Sequence, residues 1–254
     1  DDSFRSTFGV EYDPAGYPES SVHYGKIIAM GRDFKRNPET GKMEHCVSIV
    51  RLNEDGSEDV TFKRVNTFAA DILEIEYIMT SRAIHIDPIT DKIYMGFGST
   101  NGHGLKVFPG EKGWGGKGYT SLLRLHANGD IDTSFPRIQL WGNAYMNFDP
   151  PYIGGIWKKC AFAEHRGERY FYFSGTFYIV SDGEHYIGKQ TINALSDKSS
   201  ETTEALEKQG MTHAGILHVP GVARLRITSG KPTILDTWHP KVTGKIVDGL
   251  GDIS

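Results

Sequence analysis

A strong excess of charge of either sign is missing from this chain. Its 28 Lys and Arg stand against 32 Asp and Glu, a formal net charge of −4, and no basic block stands out. Nucleic acid is therefore disfavoured as a partner, since binding it calls for a basic patch or stripe. Long apolar runs are missing as well, and none is long enough to span a bilayer. No signal peptide is visible, and the chain opens on Asp1 without Met, which reads as a processed or partial chain. Cysteine is scarce. Cys46 and Cys160 neither require nor exclude a disulfide, and their plain reading is two buried thiols. No ligand pattern near them supports a zinc site.

The motifs of common chemistries are also missing. Ten histidines are scattered, with no His-x-x-x-His or His-Glu-x-x-His spacing that would set two ligands on one helix face. His213 and His218, with Glu184 and His185, are the one set that could meet in space, and surface or core histidines are the plainer account. Asn53, Asp55, Ser57 and Asp59 alternate like the start of a calcium loop, but Arg64 stands where the closing bidentate acid belongs. The stretch Gly113 to Gly118 is glycine-rich, yet it lacks Gly-Lys-Ser/Thr and a following helix, so a phosphate loop is disfavoured. No Gly-x-Ser-x-Gly elbow occurs. A carboxylate pair for sugar hydrolysis is set by spatial separation, which a sequence does not display. No catalytic, cofactor or metal residue is assigned, and no cofactor is expected.

What the chain does hold is a repeat. Arg124-Leu125-His126-Ala127-Asn128-Gly129-Asp130-Ile131-Asp132-Thr133-Ser134-Phe135 matches Arg51-Leu52-Asn53-Glu54-Asp55-Gly56-Ser57-Glu58-Asp59-Val60-Thr61-Phe62 in register. A looser copy runs from Arg224-Leu225 to Asp236-Thr237-Trp238-His239, and Asp1-Asp2-Ser3-Phe4 is the tail of another. Recurrence at a long period is the mark of a repeat architecture. Each copy begins as a short apolar run holding one Arg, strand-like in length and composition. Asp55-Gly56 and Asn128-Gly129 follow, pairs that accept positive φ and make tight hairpins. The exit is Asp-x-Ser/Thr-Phe. Its carboxylate is suited to bond backbone N–H groups two residues on, and its Phe to anchor in a core.

Upstream of each copy lies a strand–turn–strand. The first is Val22 to Gly31, the second Ala83 to Gly96 with an Asp87-Pro88-Ile89-Thr90-Asp91 turn, the third Lys159 to Gly175. Strands closing on Gly31, Gly96 and Gly175 are expected, then a variable loop, then the Arg-Leu strand. Three or four antiparallel strands per unit describe a propeller blade, and the many glycines and prolines suit the turns. Phe171, Tyr172 and Phe173 read as core.

The units lengthen along the chain, and most growth falls between the Gly-ended strand and the Arg-Leu strand. Growth at one topological point predicts loops emerging on one face of the stacked blades. The longer insertions are residues 102–119 and 178–215. The second has a helical segment, Glu204-Ala205-Leu206-Glu207-Lys208, with Gly210 as its stop. Another stretch, Trp141 to Trp157, separates the second and third units. Trp114, Tyr119, Trp141, Tyr145, Tyr152 and Trp157 are the candidate partner-binding residues, because aromatic rings stack on sugars and anchor protein partners. Filling gaps between blades is the alternative for the same rings.

The pattern Gly25 to Gly31 with Arg51 to Phe62, and Asp91 to Gly96 with Arg124 to Phe135, resembles the delta-60 repeat family. That family pairs Gly-Lys-Ile-hydrophobic-x-Gly with Arg-Leu-Asn-x-Asp-Gly-Ser-x-Asp-x-Ser-Phe. The third unit departs from it, with Ser229-Gly230 for Asp-Gly and Trp238-His239 for Ser-Phe. The resemblance implies an all-β fold, a β-propeller-like array of antiparallel blades with long loop insertions. Residues 1–254 then form one repeat-built domain with units of about 1–62, 63–135 and 136–240. Residues 241–254 read as the lead-in to a further blade. Such repeats occur in phage tail and bacterial surface proteins. Diverged repeats with large one-sided insertions suit a protein specialised for one assembly position, so the expected role is a non-enzymatic structural or binding module of a phage tail or virion, with other virion or surface proteins, and a host glycan, as partners. Two alternatives stay open, a carbohydrate-active propeller enzyme (glycosidase or lyase) and an extracellular or cell-surface adhesin.

Overall fold

The computed structural model describes residues 20–23, 25–38, 40–68, 83–96, 105–106, 119–141, 156–177, 179–188, 204, 206–208, 210–215, 221–229 and 233–237. Strands dominate them, with a single helical turn. Unit 1 is an antiparallel meander of β1 (Ser20–His23), β2 (Lys26–Arg36), β3 (Met43–Leu52) and β4 (Val65–Phe68). Unit 2 repeats it with β5 (Ala83–Ile86) and β6 (Ile93–Gly96). A small ribbon of β7 (Leu105–Lys106) and β8 (Tyr119–Thr120) follows, then β9 (Leu122–Leu125) and β10 (Gln139–Trp141). Unit 3 opens with β11 (Ile156–His165) and β12 (Glu168–Thr176). After β13 (Ile179–Ser181), β14 (His185–Ile187) and β15 (Thr212–His213) it closes with β16 (Val222–Arg226) and β17 (Ile234–Leu235).

Strand register aligns the three units. Ile28 lies opposite Arg51, Tyr94 opposite Arg124, and Tyr172 opposite Arg224. In that frame Ile49 opposite Val65 corresponds to the bridge between Leu122 and Ile138. The fourth strand of unit 2 therefore starts at Ile138. It then leaves as β10 to pair with β13, forming a sheet ordered β10-β13-β14-β15. In the same frame β17 matches the single bridges Leu52–Glu58 and Leu125–Ile131, so it is the return arm of a longer hairpin. Asp236 N donates to Arg224 O at 3.1 Å, as Asp132 N does to Arg124 O (2.9 Å) and Asp59 N to Arg51 O (2.7 Å). The third exit thus keeps its first hydrogen bond despite its altered sequence. Trp238 and His239 lie outside the described residues, as do residues 1–4 and 241–254.

The expected stop at Gly31 does not occur. Gly96 ends β6, but β2 runs through Gly31 to Arg36, and β12 passes Gly175 by one residue. The ladder of unit 1 continues because its outer rungs pair favourably, with Lys35 opposite Glu44. Its tip is tied by Asn37 N to Lys42 O (2.7 Å) and Asn37 Nδ2 to Glu44 Oε2 (2.7 Å). What reads as a variable loop in unit 1 is mostly a protruding two-stranded ribbon.

The exits lock the units together. Phe62 of unit 1 is buried among Ile84, Ile93, Met95, Leu123 and Leu125 of unit 2. Phe135 of unit 2 is buried with Phe171, Phe173, Ala223 and Leu225 of unit 3. The first strands β1, β5 and β11 lie in turn beside one another, β1 near β5 and β5 near β11. Fourth strands reach forward too, since β4 lies near β7 and β10 pairs with β13, each in the insertion of the next unit. The described sheets do not form a closed ring. Within the longest insertion the expected helical turn is present at 204 and 206–208 and ends at Gly210. Gly210 N donates to Glu207 O and Met211 N to Leu206 O, a Schellman closure with Leu206 and Met211 packed in one small core.

Candidate functional site

The hairpin exits build a recurring charged clamp. Asp59 Oδ2 accepts from Arg51 Nε and Lys26 Nζ, each at 2.7 Å. Its Oδ1 accepts from Thr61 N (3.0 Å) and Thr61 Oγ1 (2.7 Å). Asp132 repeats this with Arg124 Nε (2.8 Å), Lys92 Nζ, Ser134 N (3.1 Å) and Ser134 Oγ (2.5 Å). In unit 3, Asp236 accepts from Arg224 Nε at 3.1 Å. The lysine position there is Tyr170, whose ring centre lies 4.1 Å from the Arg224 guanidinium. The clamp explains the lone Arg in each apolar strand. A charge on a buried strand face is tolerated when it is paired and hydrogen-bonded.

The arginines of units 1 and 2 also reach forward. Arg51 Nη1 donates to Ala127 O (3.1 Å) in the hairpin of unit 2, and Arg124 Nη1 to Thr233 Oγ1 (3.2 Å) in that of unit 3. Lys63, next after Phe62, donates its backbone N–H to Asn128 O (2.7 Å) and its Nζ to Asp130 Oδ1 (2.7 Å). The Asp87-Pro88 turn of unit 2 grips unit 3, because Arg169 donates from Nη1 to Asp87 Oδ2 (2.8 Å) and from Nη2 to Oδ1 (2.6 Å). That fork geometry is the strong form of such a pair.

Electrostatics commit these groups to structure. Burial pushes the Asp59 carboxyl up, and the bonds from Lys26, Thr61 and Arg51 outweigh it, leaving it well below the usual carboxylate range. Burial likewise opposes, and Lys92, Ser134 and Arg124 together overcome, at Asp132, which is also held far below that range. Asp87 is lowered in the same way against its burial, by Arg169 and Thr90. Carboxylates held ionised by two cations are poor proton donors. Burial pushes the Cys160 thiol up to about 12, and burial with the Tyr186–Glu207 hydrogen bond pushes Tyr186 up to about 12. Neither suits a nucleophile at neutral pH.

The other candidates take structural places. Asn53, Asp55 and Ser57 form a hairpin turn, with Asp55 Oδ1 accepting from Ser57 N (2.9 Å) and Ser57 Oγ (2.6 Å). His213 packs its ring 4.8 Å from that of Tyr186, and its Nδ1 accepts from Gly215 N (3.2 Å). His185 lies exposed near Asp182, and His218 is outside the described residues. Among the described residues no three His, Cys, Asp or Glu side chains converge as a metal site would require. Cys46 is buried, its Sγ 3.7 Å from Ser48 Oγ. Phe171 and Phe173 are fully buried, as read from the sequence, and Tyr172 is half-buried.

Of the six candidate partner-binding aromatics, Trp114, Tyr145 and Tyr152 lie outside the described residues. Tyr119 falls in β8, Trp141 ends β10, and Trp157 is second in β11, so three different sheets carry them. Four large apolar side chains are exposed among the described residues, Val60, Ile89 and two on one ribbon. Phe34 and Met43 sit on the ribbon of unit 1 at 53% and 48% exposure. A shallow depression of about 380 Å³ lies at the base of that unit, lined by Gly25, Lys26, Asn53, Glu54 and Asp55. The clamp had a signal in the sequence, an Arg followed by Asp eight residues later in two units.

Residues 113–135 match the family model described as "Domain of unknown function (DUF5122) beta-propeller". The match spans β8, β9, the Asn128-Gly129 hairpin and the exit through Phe135, and it supports a propeller-repeat family. No curated protein matches the chain.

Proposed function

We propose that this chain is a non-enzymatic structural or binding module built from propeller repeats of the delta-60 type, working in a phage tail or virion. One observation carries the non-enzymatic part. The repeat's carboxylates Asp59 and Asp132 are each tied to an Arg, a Lys and a Ser or Thr, and Asp236 to an Arg. These carboxylates recur because they hold each hairpin exit in its own unit, where the Arg they fix in units 1 and 2 also bonds the next unit. A glycosidase would instead need a carboxylic acid with a raised pKa beside an ionised partner. The virion placement is supported by the resemblance of the repeats to those of tail and surface proteins. Partner contact is assigned to the insertions, because variable loops on a rigid scaffold are where binding resides.

Two measurements test the reading. Immunogold labelling with antibody against the chain should decorate particles; label on the cell surface alone would favour the adhesin. Incubation with a polysaccharide panel should release no new reducing ends or unsaturated sugars. Release that disappears on changing a single carboxylate would establish the enzyme instead.

A further inference from the structure

Unit 1 has an outer face that is built like a filled one. Register makes Ile27, Ala29, Val50 and Leu52 the counterparts of Ile93, Met95, Leu123 and Leu125. In unit 2 that face receives Phe62 from the preceding exit. In unit 1, Ala29, Val50 and Leu52 are equally buried, yet among the described residues they cluster only with one another and Ile27.

The hairpin beside the face repeats the pattern. Gly129 has φ 89, and a Cβ there would meet Lys63 O at 2.4 Å, because the chain after Phe62 lies across it. Gly56, its counterpart at φ 83, is also buried although Glu54 and Asp55 before it are exposed. Both turns carry a carboxylate. In unit 2 it is Asp130, bonded to Asn128 (2.9 Å) and to Lys63; in unit 1 it is Asp55, bonded to Ser57 two residues on. The depression at Gly25, Lys26, Asn53, Glu54 and Asp55 occupies the place where unit 2 takes Lys63 and Arg51.

We propose that this face is a socket for an exit segment of the same repeat, and that residues 1–5 of the chain fill it. Those residues lie outside the described ones. Their sequence, Asp1-Asp2-Ser3-Phe4-Arg5, matches Asp59-Val60-Thr61-Phe62-Lys63 at the Asp, hydroxyl, Phe and basic positions. The other two complete exits are already seated, Phe62 in unit 2 and Phe135 against unit 3. Phe4 supplies the ring for the Ile27, Ala29, Val50 and Leu52 face, and Arg5 the cation for Asp55 and Glu54.

The test has two arms on the full chain. Amide exchange is compared between the wild type and Phe4→Ala. Exchange over 26–30 and 49–53 should quicken by at least about tenfold while 171–175 and 222–226 stay protected, because local openings report local packing. Unchanged exchange in unit 1 overturns the proposal. In the second arm, Arg5→Cys with Asp55→Cys in a Cys160→Ser background is treated with a short bis-maleimide. An intramolecular link is expected and stands even if Phe4→Ala fails to fold. No link overturns the proposal, and covalent dimers overturn it in favour of a second copy as occupant.

Discussion

Units 2 and 3 use the same Arg–Asp clamp, but the lysine of unit 2 is replaced by a tyrosine in unit 3. Asp132, 2% exposed, lies between Arg124 and Lys92. Asp236, 21% exposed, pairs with Arg224, and Tyr170 stands in place of the lysine with Arg224 stacked on its ring. Unit 3 has traded an ion pair for a cation–π contact. The hairpins differ in length as well. The third hairpin runs twelve residues from Arg224 to Asp236, against eight from Arg124 to Asp132, and its acid sits in a wetter place. Where water reaches the acid, a second cation adds little, because exposed ion pairs are screened. Where water is excluded, both cations are needed to offset the desolvation of the carboxylate.

Removing the ring between the two units should have the largest effect. Phe135→Ala is expected to cost about 3–5 kcal/mol, since Phe135 packs against Tyr94 and lies 4.6 Å from the Arg124 guanidinium inside the shared core. A thermal melt with no loss would remove the interlocking of units on which the comparison stands.

Next is the acid itself. Asp132→Asn leaves the buried Arg124 and the half-buried Lys92 without their counter-charge and should cost about 3 kcal/mol, whereas Asp236→Asn should cost about 1 kcal/mol. Urea titrations of the two variants measure the gap directly. Equal losses would mean that burial does not separate the two clamps.

Acid should act on the clamps of units 1 and 2. The folded pKa values of Asp59 and Asp132 lie below the unfolded value of about 3.9. Their contribution is therefore fully present above about pH 4 and is lost as pH falls through the depressed folded values. Urea midpoints followed from pH 6 to pH 2 should fall, and the double variant Asp59→Asn, Asp132→Asn should fall less over that range. An unchanged slope in the double variant would place the acid sensitivity elsewhere.

Smaller effects sharpen the picture. Tyr170→Leu removes the ring under Arg224 and should cost about 1 kcal/mol; its measure is the shift in urea midpoint. Phe34→Lys on the ribbon of unit 1 should change stability by less than about 0.5 kcal/mol, because that residue is exposed and far from the clamps. A loss of several kcal/mol there, read by the same titration, would show that the ribbon is folded against something.

The repeat frame was legible because its signals are local. Asp55-Gly56 and Asn128-Gly129 announce hairpins, and both glycines do adopt positive φ, at 83 and 89. Asp59 and Asp132 bond the residues two places on, and Phe62 and Phe135 are buried, as their spacing predicts. The helical turn at 204 and 206–208 was legible for the same reason, with Gly210 closing it. The limits of the ribbon were not. Gly31 reads as a strand end, but β2 continues to Arg36 because β3 lies alongside it, and a partner strand is not visible in a local window. The candidate aromatics were chosen by residue type, which does not reveal that Tyr119, Trp141 and Trp157 belong to three different sheets.

By itself the amino-acid sequence determined the hairpins, the exits and the order of the units. Those features depend on backbone preferences and bonds spanning a few residues. Tertiary structure alone decided that Arg51 reaches Ala127, that Arg169 grips Asp87, and that β10 leaves unit 2 to pair with β13. Each of these joins segments far apart in the chain. Their strength comes from excluding water between charges and pairing backbone groups across units, which only the folded arrangement can do.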